Sequence, residues 1–355
     1  MRTNVIRFIL LSLFIIHSFQ LDSVSDNTFS DQLPPFSKMI SLPDNSLFQL
    51  TQQTNLFFTS SDAMTYTLTS SSSIPQHTAS HSGISNPFYL SSNEIIYACT
   101  RSDNNINPIS IVTLEPFSIT SLSLPDTFPQ MLFNQQRCGL FQLPNGNLGF
   151  SYLTSSLKAA LAEFEPINRT FVSFSIAVES GPLEYSTYRC IYMKRIDKII
   201  CDWTDCFLNL KTSIQMFNSD FTPYTDDTFR FPMSITFSNE FTYMASCSLE
   251  SINDDNAVLF CFSAFNSHSI YYITAKGDTV NELEVYSDNS IITGGSNYYN
   301  FLPLNENYFI ICITASNTNE SYIYLYNVNM RTYVNTPLNQ GLTSSYSTIT
   351  FAYNE

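Results

Sequence analysis

Residues 304–333 read LNENYFIICITASNTNESYIYLYNVNMRTY: a polar turn, an apolar run around Cys312, a second polar stretch, an aromatic run at Tyr322–Tyr326, and a turn that ends on Thr332. Apolar run, turn residues, apolar run is the signature of antiparallel hairpins. The same order recurs upstream. Ile96-Tyr97-Ala98-Cys99-Thr100, Gly149-Phe150-Ser151-Tyr152, Ile199-Ile200-Cys201-Asp202 and Leu259-Phe260-Cys261-Phe262 each follow a polar turn, and each carries a Cys or Ser at one position. Positions 99, 151, 201, 261 and 312 are spaced by 52, 50, 60 and 51 residues. Before each turn stands another apolar run, such as Cys138–Leu143. About 13 residues beyond each aligned Cys or Ser comes a third strand, and a turn and a fourth strand follow with a Thr at 120, 170, 222, 279 and 332. An earlier unit fits the frame with strands at Met39–Leu42, Ser46–Thr51 and Met64–Leu68.

Six units of four strands result, from Phe36 to Leu338. Units of this size cannot bury both faces of a sheet alone, which is the mark of a β-propeller. The expected fold is all-β, a propeller of six four-stranded blades over residues 36–355. Ser344–Phe351 reads as another first strand, which either completes a ring with the N-terminal segment or opens a seventh blade that further sequence would continue. Leu157–Phe164 has the strongest helix propensity in the chain, but the repeat places its second half in a third strand, and the repeat is followed here.

The composition agrees. Across 355 residues there are 30 Phe and 21 Tyr but nine Gly and one Trp, and charged residues make up 13%. Scarce charge with abundant Ser, Thr and Asn suits short strands and polar turns better than surface helices. The net charge of −15 argues against nucleic-acid binding, which needs clustered Lys and Arg.

Residues 1–20, MRTNVIRFILLSLFIIHSFQ, combine Arg2 and Arg7 with an apolar run from Phe8 to Ile16. That run is too short to cross a bilayer but suits a signal peptide. Residues 21–35 form an N-terminal segment. No later stretch reaches the roughly 18 apolar residues of a transmembrane helix. The expected location is the secretory pathway, extracellular or at the cell surface. Two sequons, Asn168-Arg169-Thr170 and Asn319-Glu320-Ser321, fall in predicted turns and are candidate glycosylation sites.

The cysteines test the register. Residues opposed in a hairpin have numbers that add to twice the turn centre. Cys190 and Cys201 centre between Arg195 and Ile196, and Cys247 and Cys261 centre on Asp254, both predicted turns. Each pair would lie about 4.5–5.5 Å apart at Cα, compatible with a disulfide in an oxidising compartment. The alternative is that all eight are small buried residues, as Ser151 at one such position suggests. The register supplies no partner for Cys99, Cys138, Cys206 or Cys312, and Cys99 to Cys138 between neighbouring blades is one option.

At the third and fourth strands the chain resembles the kelch family. Tyr324-Leu325-Tyr326-Asn327 through Thr332-Tyr333, and Glu163-Phe164-Glu165-Pro166 through Thr170-Phe171, match its pattern of aromatic strand, polar turn and Thr-aromatic. The resemblance implies propeller architecture. It transfers no binding residues, because kelch repeats carry paired glycines after the second strand and a Trp in the fourth. Here the only Gly-Gly is Gly294-Gly295, between units, and Trp203 ends a second strand.

Catalytic signals are sparse. His77, His81 and His268 are scattered, with no metal-ligand spacing. No nucleophile elbow, phosphate loop or calcium loop occurs, so no metal or cofactor is implied. Asp202 with Asp205, Asp226-Asp227 and Asp254-Asp255 read as solvated turn acids rather than calcium ligands. By type, Glu163/Glu165 and Asp202/Asp205 are candidate carboxylate pairs for a glycosidase. By fold-level analogy, the second-to-third-strand loops and the inter-blade connections share one face, usually the binding face. Arg101, Asp103, Trp203, Asp205 and His268 fall there and are the candidate ligand-binding residues; Trp203 either packs between blades or, exposed, serves as an aromatic anchor. The expected function is a non-catalytic binding or adhesion module for a protein or glycan, within a larger protein or alone. The alternatives are a secreted carbohydrate-active hydrolase on the same fold and a structural surface-coat protein.

Overall fold

The computed structural model describes residues 38–339 apart from 43, 45, 51–53, 60–66, 74–87, 92, 103–104, 132–137, 157, 179–186, 206–210, 225–233, 237–245, 263–267, 281–282, 289–295, 306, 316–319, 331 and 334–337. The signal-peptide expectation, the N-terminal segment and the strand expected at Ser344–Phe351 lie outside the described residues.

Short apolar runs between polar turns fold here into six antiparallel sheets, each a meander in chain order. The first blade holds β1 (Lys38–Ser41), β2 (Leu47–Leu50), β3 (Thr54–Thr59) and β4 (Thr67–Ser73). The second holds β5 (Phe88–Ser91), β6 (Glu94–Ser102), β7 (Asn105–Thr113) and β8 (Ser118–Leu122). The third holds β9 (Gly139–Gln142), β10 (Leu148–Leu153), β11 (Ala159–Glu165) and β12 (Thr170–Val178). The fourth holds β13 (Thr187–Met193), β14 (Lys198–Asp205), β15 (Lys211–Asn218) and β16 (Ser234–Thr236). The fifth holds β17 (Ser246–Ser251), β18 (Asn256–Phe262), β19 (His268–Ala275) and β20 (Leu283–Asp288). In the sixth, β21 (Ser296–Asn305), β22 (Tyr308–Ala315) and β23 (Glu320–Asn327) are followed by β24 (Thr332–Tyr333) and β25 (Leu338–Asn339), which both pair with β23. The first strands lie side by side, β13 between β9 and β17, while the described parts of the fourth strands β8 and β12 are mostly solvent-facing. This is the radial layout of a β-propeller.

The core lies between blades. Leu42, Phe48 and Phe57 of the first blade pack on Ile95, Tyr97 and Val112 of the second. Ile96, Ile109 and Ile111 meet Phe150, Tyr152 and Phe164 of the third. Phe141, Leu153 and Leu161 meet Ile199, Cys201 and Phe217 of the fourth, and Ile200, Ile214 and Met216 meet Leu249, Leu259 and Ile273 of the fifth. Tyr272 stacks on Tyr326 of the sixth at 4.6 Å. Neighbours such as Ile199 and Ile200 therefore serve opposite interfaces, as strand alternation requires. All six residues of β10 are buried, because both faces are covered.

The helix-prone stretch is β11. Ala160 and Ala162 face the second blade and Ala159 and Leu161 the fourth. The small side chains let two blades close on one strand, so packing overrides helix propensity. Three expectations are corrected. The third strand of the first blade is Thr54–Thr59, which pairs with β2, and Thr67 and Leu68 of the expected third strand belong to the fourth. Thr222 sits in a turn before β16, its N–H donating to Asp220 Oδ1 at 2.9 Å. Thr279 likewise precedes β20.

The register holds at both cysteine pairs. Cys190 opposes Cys201 and Cys247 opposes Cys261. Cys190–Cys201 is a disulfide with Cα atoms 4.1 Å apart; the side chains of Cys247 and Cys261 lie outside the described residues. Cys138 is also disulfide-bonded, while the side chains of Cys99, Cys206 and Cys312 lie outside the described residues. In the third blade the matching pair is Gly139 and Ser151, where a Cβ on Gly139 would stand 2.9 Å from Ser151 Oγ.

Candidate functional site

The described polar residues of the blade turns gather at one end of the blades. At this end lie the first-to-second and third-to-fourth-strand turns, and their polar residues are committed to each other. Asn93 Nδ2 donates to the Glu115 carbonyl and Asn93 Oδ1 accepts the Glu115 N–H, both at 2.7 Å. Asn145 and Asn147 donate to Glu163 Oε1 at 2.8 and 2.6 Å, and Ser173 donates to its Oε2 at 3.0 Å. The backbone repeats one latch in three blades. Leu114, Ala275 and Val328 N–H groups donate to the carbonyls of Asn93, Asp255 and Asn307. Asx turns at Asp44, Asn145, Asp220 and Asn253 close the loops. Side-chain acceptors thus do locally what glycine does elsewhere, which accounts for a propeller with nine Gly.

Ion pairs link blades at this same end. Lys194 pairs with Asp254 at 3.0 Å, and Arg195 with Asp255 at 3.0 Å and Asp278 at 3.3 Å. Arg169, with φ of 54°, reaches Glu94 of the second blade at 2.5 Å. Asp254 and Asp255 are therefore turn acids as expected, with cations attached. Asn168 lies in the exposed third-to-fourth-strand turn at this end.

Each of the described sequence-predicted ligand residues belongs to the other end. Arg101 stands near the close of β6 opposite Ile106. Trp203 and Asp205 end β14, opposite Ser213 and Lys211. His268 opens β19 opposite Phe262. The topology thus sets them at the second-to-third-strand end of the second, fourth and fifth blades. Their side chains, and Asp103 and Asn319 altogether, lie outside the described residues.

The candidate carboxylates behave differently from one another. Burial works to raise the Glu163 pKa, but hydrogen bonds from Asn147, Asn145 and Ser173 outweigh it and hold the group below its usual value. Glu163 is an ionised latch of the turn end. Asp202 corrects the reading of a solvated acid: it is wholly buried. Its neighbours Ile200 and Ile214 face the fifth blade, and Ile214 opposes it directly. Its Oδ1 accepts the Arg189 N–H at 3.1 Å, and its Oδ2 has no hydrogen-bond partner. Burial pushes its pKa up to about 7, against the opposing pull of Arg189. Arg189 and Glu250, bridged at 2.8 Å, are the residues that the sequence reading missed beside it.

Among the described residues no group of three or more His, Cys, Asp or Glu is placed to hold a metal ion, and no helix is long and apolar enough to cross a membrane.

No protein-family model matches the chain, and no curated protein matches it in sequence. Solved structures do resemble it. AofleA from Arthrobotrys oligospora is similar with a TM-score of 0.56 at 9% identity, over 88% of each chain. Streptogramin B lyase gives 0.48 at 13%, over 84% of this chain and 82% of that one. The WD40 domain of SCAP from fission yeast gives 0.43 at 12%, over 87% and 78%. At such identities the likeness is one of fold: the chain is a β-propeller.

Proposed function

We propose that this chain is a secreted or cell-surface β-propeller that binds a protein or glycan without catalysis, through the end carrying the second-to-third-strand loops and inter-blade connections. The observation that carries this reading is the engagement of the turn end. The turn end spends its Asn, Asp, Lys and Arg on latches within and between blades, so recognition falls to the opposite end. Arg101, Trp203, Asp205 and His268 stand at the strand ends there, Asp103 follows β6 in sequence, and Trp203 is the residue type that such contacts favour. A hydrolase on this scaffold needs two carboxylates free to act. Glu163 is engaged by three donors and Asp202 is enclosed between blades, which weighs against that alternative. Secretion is supported by residues 1–20, by the sequons at Asn168 and Asn319, and by the Cys190–Cys201 bridge.

The test is to collect the protein from secreting cells and probe glycan and cell-surface-protein arrays while monitoring released sugars. Binding without product is expected. A variant combining Arg101→Ala, Trp203→Ala and His268→Ala should lose about tenfold or more in affinity with an unchanged melting temperature. Product release would select the hydrolase. Absence of binding on every array would select the surface-coat reading.

A further inference from the structure

Asp202 raises a problem that none of the binding residues solves: a wholly buried carboxyl with one oxygen unpartnered. Among the described residues, the groups around it can be named strand by strand. Across β13 stands Arg189, whose N–H holds Oδ1. Across β15 stands Ile214, with Lys211 at the strand's far end opposite Asp205. From β17 comes Glu250, whose Oε1 takes the Arg189 guanidinium at 2.8 Å. Arg189 thus touches Asp202 by its backbone yet spends its charge on the next blade.

We infer that Asp202, Arg189 and Glu250 form a proton-operated clasp between the fourth and fifth blades. With Asp202 neutral, Arg189 bridges to Glu250 and ties the blades. When Asp202 loses its proton, Arg189 turns to Oδ2, and the Arg189–Glu250 bridge between the blades is broken.

The asymmetry of burial drives the exchange. An unpaired charge at a sealed position is far more costly than one at the rim, and the Glu250 side chain is 21% exposed whereas Asp202 is not exposed at all. Arg189 keeps its charge at all relevant pH, so a single cation must choose between two carboxylates, and the buried one has the stronger claim once ionised. The direction follows from the Asp202 acid, raised by burial to about 7 from an ordinary 3.8, with Arg189 opposing and Glu250 adding to the rise. Between those values the folded chain holds a proton that the unfolded chain has lost. Stability from this site therefore falls as pH rises through that window, and is level above it. The clasp is closed in mild acid and open above neutrality. Because Asp202 precedes Trp203 on β14, the exchange occurs one residue from the proposed ligand end, though it does not depend on that reading.

The test joins carboxyl NMR titration of the wild-type protein with hydrogen exchange over 187–193 and 246–251, corrected for intrinsic rates. Asp202 should titrate with a midpoint near 7. Exchange in both segments should rise about tenfold between about pH 6 and pH 8. In Asp202→Asn it should stay low at both, and in Glu250→Gln it should be high at both. A wild-type midpoint at or below about 5, or the same exchange step in Asp202→Asn, would overturn the clasp. Should Asp202→Asn fail to fold, the wild-type titration decides alone.

Discussion

Replacing Phe150 with Ala lowers the unfolding free energy by about 3–5 kcal/mol in denaturant titration. Phe150 is fully buried in the interface that joins the second and third blades. Its ring lies 5.0 Å from that of Tyr152 and 6.1 Å from that of Phe171, and it packs within the cluster of Ile96, Ile109, Ala160 and Phe164. The residue opposite on β11 is Ala162, which cannot swell into the space. The loss thus includes a cavity that neighbours fill poorly, as well as the transfer of the ring. Tyr152, tied by its hydroxyl to the Pro129 carbonyl at 3.1 Å, is also held from moving in. A loss below about 1.5 kcal/mol would mean that this interface is not packed as described.

The second large effect comes from adding atoms. Gly149 pairs directly with Phe141, whose ring lies over it. A Cβ at 149 would meet Phe141 Cζ at 2.2 Å. The ring cannot swing away cheaply, since it is buried against Leu161, Ile199 and Phe217 between the third and fourth blades. Gly149→Ala should cost about 1–3 kcal/mol, and the bulkier Gly149→Val more, through displacement of that ring. Combining Gly149→Ala with Phe141→Leu should cost less than the two single changes together, because the shorter side chain makes room. Strict additivity of the two would show that the ring does not lie over the glycine.

Much of this was legible in the sequence, and the reasons are local. The spacing of Cys99, Ser151, Cys201, Cys261 and Cys312 set the blade period. The hairpin centre that opposes Cys190 to Cys201 was confirmed to the residue, because a turn of fixed length fixes register. The same centre opposes Arg189 to Asp202, so half of the inter-blade clasp could have been read from it. What hid Asp202 was its type: an acid near a strand end reads as solvated, and only the approach of the next blade buries it. Glu250 was invisible for a related reason, since contacts between blades depend on how sheets stack rather than on spacing along the chain. The fourth strands were the least legible. Thr222 and Thr279 mark turns, as the third-to-fourth connections vary from blade to blade while the hairpins before them do not. The Ala-rich β11 shows the reverse: the repeat prevailed where propensity pointed elsewhere.

The most direct test of a secreted ring of hairpin blades is a non-reducing peptide map of protein collected from the culture medium. The account predicts a mature start after the first twenty or so residues, glycopeptides at Asn168 and Asn319, and linked peptides joining Cys190 to Cys201 and Cys247 to Cys261. Free thiols at these four positions, or Cys190 linked to any cysteine but Cys201, would contradict it.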